Sequence, residues 1–387
     1  MMQRFRRIAM MLLAAALSYT APAALAEDEP ERRDWPHPRG GLMGAGVAEG
    51  VELADGYAPA WVYETGGAVL SSPAIVDSVV FVGSEDKHLY AIHGASGELK
   101  WRFEAQSLID ASPVVVEGVV YVGTDGGVLH AIDAETGEAL WAFEAGGRIS
   151  GEAGVTTVTN GAGENTKVVL AGSHDGSLYC IDADTGEERW AYETGDYINC
   201  GITLYRNTIV LGGCDTYLHL IDLRTGEGKG EVALGGEVSG TPALADGFAY
   251  LGHMQNEVVA VNLRTKEVAW RFADRNFPYV GAPAIAGDRL VIGSRGRRLY
   301  CLDRRTGEEL WGVRTHGGVE GAPVVAGGRA IFGSAGGRLS IVTLSNGEPV
   351  WQHDLGAAIN VSPAVVPGLV VVGSEDGSVY AFKPADQ

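Results

Sequence analysis

Four cysteines, nine histidines and a scatter of carboxylates and amides are the groups in this 387-residue chain that could do chemistry. Cys200 and Cys214 are the closest-spaced cysteines, and His174 and the pair His253-Met254 flank them. Thiolate, imidazole and thioether ligands together favour copper or zinc, although this spacing matches no known ligand motif. In an oxidising compartment Cys200 and Cys214 would instead form a disulfide, or they remain two buried thiols. Cys180 and Cys301 read as buried apolar residues. Asp110, Glu320, Asn199 and Asn360 are oxygen donors of the kind that hold Ca2+ or a small polar ligand. No Ser-His-Asp order, phosphate loop or paired-carboxylate motif is recognisable. The Gly-x-Gly fragments sit at turns, not ahead of a helix, and carry no nucleotide signal.

What these groups can do depends on the elements that position them, and those elements repeat. Trp61, Trp101, Trp141, Trp190, Trp270, Trp311 and Trp351 are spaced by 40, 40, 49, 80, 41 and 40 residues. The gap of 80 is two periods, with Gly230 where a tryptophan is due, and the gap of 49 holds an insertion over 159–167. Gly83, Gly123, Gly172, Gly212, Gly252, Gly293, Gly333 and Gly373 each end an apolar run, which makes eight repeats. The second repeat reads as four strands at 111–116, 119–123, 128–133 and 139–143, bounded by Gly and Asp turns. No segment carries a 3.6-residue apolar period, so helices should be nearly absent.

Four antiparallel strands every 40 residues predict an all-β fold, an eight-bladed β-propeller. The last repeat lacks its fourth strand, and an unmatched strand at 60–64 precedes the first repeat. The N-terminal strand therefore completes the last blade and leaves no free edge. The expected organisation is a signal peptide at 1–26, an N-terminal extension at 27–57, the propeller at 58–384 and a short tail at 385–387. The leader has Arg4, Arg6 and Arg7 ahead of an apolar stretch from Ile8 to Tyr19, then Ala24-Leu25-Ala26 as a cleavage site. Arg6-Arg7 leaves Sec and twin-arginine export both open. No cysteine lies at the cleavage site and no other stretch is long and apolar enough to span a bilayer, so neither lipid anchor nor membrane span is expected. Without the leader, 26 basic residues face 49 acidic ones, a net charge of −23. Such a chain repels phosphate backbones, which argues against nucleic acid as a partner.

The unit from Ala131 to Trp141, repeated at Cys180–Trp190 and Cys301–Trp311, resembles the tryptophan-docking repeat of the pyrroloquinoline-quinone (PQQ) propeller superfamily. Asp34-Trp35-Pro36 with Arg39-Gly40 is similar to the entry segment of these secreted propellers. The resemblance covers the mature chain and implies the fold and a periplasmic or secreted location. It does not choose between quinone-dependent dehydrogenases and non-catalytic BamB-type assembly factors. The dehydrogenases hold the quinone between a tryptophan floor and a disulfide of adjacent cysteines, with Ca2+ beside it. This chain has no adjacent cysteines, and seven of its eight tryptophans belong to the repeat.

In a propeller the first strand of each blade lines the channel. The position three before Pro73, Pro113, Pro242, Pro283, Pro323 and Pro363 gives a ring: Leu70, Asp110, Ser150, Asn199, Ser239, Val280, Glu320 and Asn360. Blade four places Cys200 and Cys214 at neighbouring strand ends beside that ring. Blade six carries Arg289, Arg295, Arg297, Arg298, Arg304 and Arg305, either a basic sector for an anionic partner or a face balanced by nearby acids. The leading functional expectation is a monomeric, non-catalytic scaffold that binds a protein or peptide partner and needs no cofactor. The alternative is a redox or metal-binding protein that holds PQQ, copper or Ca2+ in its channel.

Overall fold

The computed structural model describes residues 34–159 and 162–385. The expected signal peptide at 1–26 lies outside them, as do Asn160 and Gly161 of the insertion. The described residues form eight four-stranded antiparallel sheets and no helix. Blade 1 is Ala74–Val76, Val79–Gly83, His88–His93 and Leu99–Glu104, paired in that order. Six further blades repeat it. Blade 8 takes its first three strands from Ala364–Val366, Leu369–Gly373 and Ser378–Pro384. Its fourth is the N-terminal strand Tyr57–Glu64, paired from Tyr57↔Pro384 to Glu64↔Ser378. The first strand of blade 1 adjoins those of both blade 2 and blade 8, so the ring is closed as expected.

The first strands begin three residues later than the pattern predicts: in blade 2 the strand is Val114–Val116 and not 111–116. Pro113 has no N–H to donate to a ladder, so pairing starts after it. The insertion in blade 3 lengthens one hairpin, with Gly154–Thr159 paired to Asn165–Gly172.

Second strands such as Val79–Gly83 are buried throughout because both faces pack on neighbouring blades, whereas fourth strands such as Leu99–Glu104 alternate toward solvent. Each fourth strand bulges at the residue before the tryptophan position, as between Ala91↔Trp101 and Ile92↔Leu99. A bulge re-aims the next side chain, and here it turns the indole onto the next blade. Trp101 Nε1 donates to Ala134 O at 3.0 Å, and its ring covers Gly137, where a Cβ would stand 2.7 Å from the indole. Gly137 has φ +77°, a left-handed turn that glycine adopts without strain. Trp61, Trp141, Trp270 and Trp311 make the same hydrogen bond.

The N-terminal extension from Asp34 onward is a strap across one end of the channel. A propeller's first strands are edges with unpaired backbone groups, a liability in any sheet. The strap fills them. Ile75, Val115, Leu204, Leu244, Ile285 and Val325 donate their N–H groups to Trp35, Pro36, Leu42, Met43, Ala45 and Gly46 at 2.7–3.0 Å. Those six belong to blades 1, 2, 4, 5, 6 and 7.

Candidate functional site

The end of the channel opposite the strap is a mouth built from two loops per blade. The residue after Gly-Ser or its equivalent donates its N–H to the linker entering the blade, and all eight blades repeat this bond, from Glu85 N–Ala68 O to Glu375 N–Ala358 O. The geometry sets the linker residues beside the loop tips.

The six predicted polar residues stand at this mouth, and each finds a partner. Arg148 lies between Asp110 and Asp125, 2.8 Å from each. Burial, reinforced by the Asp125 carboxylate and opposed by Arg148, pushes the Asp110 carboxyl up to about 6. Ser150 Oγ is 3.1 Å from His174 Nε2, and the imidazole stacks on Tyr197 at 5.2 Å. Asn199 donates to Cys214 Sγ, Ser239 to Val280 O and Asn360 to Glu375, while Glu320 pairs with Arg295 at 2.9 Å.

The remaining mouth carboxylates also have structural work. Asp86, Asp175 and Asp376 accept from Tyr90, Tyr179 and Tyr380 of their own blades. Asp86 and Asp175 also accept the N–H of Gly66 and Gly146 in the incoming linkers. These hydrogen bonds outweigh burial and hold both carboxyls below their usual range. In blade 4 His219 replaces the tyrosine, its Nε2 2.7 Å from Asp215.

Of the two alternatives for Cys200 and Cys214, the structure has them unbonded, with all four cysteines free. Cys200 occupies the place of Ser71 in blade 1. Ser71 donates to Gly83 O, and Cys200 donates in the same way to Gly212 O at 3.1 Å. Burial pushes Cys200 up to about 12 and raises Cys214 as well, so both are thiols. The soft-metal set is not assembled either. His174 faces Ser150, and His253 Nε2 lies 3.2 Å from Glu257, with Met254 in the adjoining loop. Among the described residues no three His, Cys, Asp or Glu side chains are grouped to hold a metal ion. Cys180 and Cys301 are buried opposite Trp190 and Trp311 on the neighbouring strands, as expected.

Four of the six blade-six arginines, Arg295 among them, are balanced by acids. Arg298 reaches Asp274 and Glu309, Arg304 reaches Asp246, and Arg305 reaches Asp288. The mouth instead exposes rings: Tyr197, Tyr217 and Phe277 are 53%, 40% and 46% exposed. Beside Tyr217 lies a hollow of about 520 Å³ walled by Glu193, Asp196, Asp215 and Glu231.

Two groups of residues inside the channel escape sequence reasoning. One residue before four of the six aligned prolines, a hydroxyl belt links neighbouring blades. Ala322 N–H donates to Ser362 Oγ, Ser362 N–H to Ser72 Oγ and Ser72 N–H to Ser112 Oγ, all at 2.9–3.0 Å. Across the ring Gly201 N–H donates to Thr241 Oγ1, which itself donates to Glu152. Shifting the same alignment by two positions would have exposed this belt. The second group, His37 and Arg39 of the strap, has no repeat to betray it.

A family model described as outer membrane protein assembly factor BamB matches residues 46–272 and 278–386. The chain belongs to the BamB family. No curated protein sequence matches it. Among solved structures, BamB from Moraxella catarrhalis superposes with a TM-score of 0.70 at 20% identity, over 84% of this chain and 99% of that one. Quinohemoprotein alcohol dehydrogenase from Comamonas testosteroni gives 0.76 at 15% identity, over 92% and 81%. The computationally designed Ika8 protein gives 0.70 at 16%, over 86% and 100%. At these identities the likeness is one of fold, and it spans an assembly factor, an oxidoreductase and a design. The arrangement that the resemblance implies for a quinone, adjacent cysteines above a tryptophan floor, is not found among the described residues of this BamB-family chain. No two cysteines are adjacent, seven tryptophans occupy outer strands, and Trp35 is a buried residue of the strap itself.

Proposed function

We propose that the chain is an exported, non-catalytic propeller that docks a protein or peptide partner on its mouth face during assembly of outer-membrane proteins. The observation that carries this reading is the contrast at the mouth. Polar groups that could activate a substrate are engaged with one another, while Tyr197, Tyr217 and Phe277 stand exposed and a carboxylate-lined hollow opens beside Tyr217. Aromatic anchors beside charged groups suit a protein partner better than a reaction, and the acidic rim favours a partner with basic residues. Export rests on the leader read in the sequence and on the family.

The test is a Tyr197→Ser/Phe277→Ser double variant in the native cell envelope. Both side chains are exposed, so folding and the unfolding midpoint should match the unaltered chain, while co-purification of barrel-assembly components should fall sharply. Undiminished co-purification removes the mouth from the interface. Stoichiometric quinone or copper on the natively purified protein would sink the non-catalytic reading altogether.

A further inference from the structure

The strap brings into the channel a guanidinium that no carboxylate hydrogen-bonds; Glu152 acts on it only through space. Arg39 is only 5% exposed. Its Nη2 donates to the carbonyls of Gly44 and Pro283, which fixes the side chain, and its Nε and Nη1 have no hydrogen-bond partner. An unpaired buried charge is costly, and so is each buried donor left unmade. Arg39 and Pro38 line a cavity of about 160 Å³ that runs from the strap past the hydroxyl belt to Glu320 and Asn360 at the mouth. Glu152 shares this lining, but its Oε1 is engaged by Thr241, and neither free Arg39 nitrogen reaches it.

We propose that the channel floor is a binding site for a small carboxylate, with its oxyanion on Arg39. Size limits the class, because a cavity of this volume holds about six non-hydrogen atoms. The entry path does not repel a monoanion strongly, since Asp110 and Glu320 are paired with Arg148 and Arg295. Ser72 and Ser112 add polar wall beside the site. Burial pulls the guanidinium down to about 10, still a cation at neutral pH and one that gains by finding an anion. The carboxylate can belong to a free organic acid or to an amino acid, whose ammonium group would face Glu152.

Equilibrium dialysis of the mature chain in low chloride, with labelled acetate and labelled glycine as the two probes, reads this directly. One probe molecule per chain is expected, with affinity lowered roughly tenfold or more in Arg39→Met. Arg39→Lys keeps the charge and loses the fork, so it should bind more weakly even if the methionine variant is unstable. In Glu152→Gln, loss of glycine alone assigns an amino acid, and retention of both assigns a simple acid. No binding of either probe at millimolar concentration overturns the proposal. So does unchanged affinity in both Arg39 variants, or equal displacement by chloride. Tyr197→Ser should leave dialysis unaltered, so this site and the docking face stand or fall separately.

Discussion

At six of the rim interfaces an indole lies over a turn glycine of the next blade, whereas at four hub interfaces the grip is a hydroxyl accepting a neighbour's backbone N–H. Rim contacts bury large apolar faces and recur with little change, because diverging wedges leave the same gap at every interface. Hub contacts are small, polar and irregular: a serine at Ser72, Ser112 and Ser362, a threonine at Thr241, a carboxylate at Glu152. The rim therefore sets the fold, and the hub is where the repeats differ without losing it. The largest test of that division is Trp141→Ala. It removes an indole that donates to Ala183 O and covers Gly186. A loss of about 3 kcal/mol is expected, at the lower end for such truncations because the ring is partly exposed, and urea unfolding would measure it. A loss below about 1 kcal/mol would mean that the rim does not dominate.

The one rim interface without a tryptophan sharpens the point. Where Trp190 covers Gly226, the next interface reverses the pair: Gly230 is covered by the stem of Lys266, whose Nζ donates to Lys229 O. The covering side chain changes strand and chemistry, and Lys266 takes the left-handed φ of 60° that glycine holds elsewhere. Gly230→Trp alone should overpack the site and lose about 1–3 kcal/mol. Adding Lys266→Gly should recover the part of the loss due to crowding but not the strain of a side chain at the Gly230 φ of +139°, a coupling on the order of 1 kcal/mol in a double-mutant cycle. Additive effects would show that the two residues do not share one space.

These tests also mark how far sequence carried. The rim was legible because a tryptophan every 40 residues is rare enough to count, and the missing indole at Gly230 was visible for the same reason. Its partner Lys266 was not, since a lysine in a polar turn draws no attention until its stem is seen lying on Gly230. At the mouth, alignment on the prolines placed Asp110, Ser150, Asn199, Ser239, Glu320 and Asn360 on one ring, but alignment says nothing of partners. The two alternatives for Cys200 and Cys214 stayed open for want of such a partner: Cys200 replaces a serine and keeps that serine's hydrogen bond. The strap was least legible. Its bonds are made by backbone carbonyls, which leave no trace in side-chain identity.

The hub belt is weaker per contact but closes the ring. Ser72→Ala would leave the Ser362 N–H unpaired at the junction of blades 8 and 1, and both residues are buried. A loss of about 1–2 kcal/mol is expected, with faster hydrogen exchange at the Ser362 amide as its local signature. Unchanged exchange there would show that water replaces the hydroxyl without cost.

The smallest effect comes from two hub groups that titrate in opposition. Burial lowers His37 from 6.5 to about 4, so over that interval the unfolded chain binds more protons and stability falls as pH drops. Asp110 runs the other way. Its carboxyl is raised from 3.8 to about 6, the folded chain binds more protons in between, and stability rises as pH drops from 6 toward 4. The unaltered protein should show a shallow slope in this window because the two partly cancel. Relative to it, Asp110→Asn should lose stability more steeply on acidification, and His37→Gln less steeply, in unfolding midpoints taken from pH 4 to 7. If both variants track the parent, then neither the strap nor the mouth keeps these groups from solvent, and the hub is wetter than its packing implies.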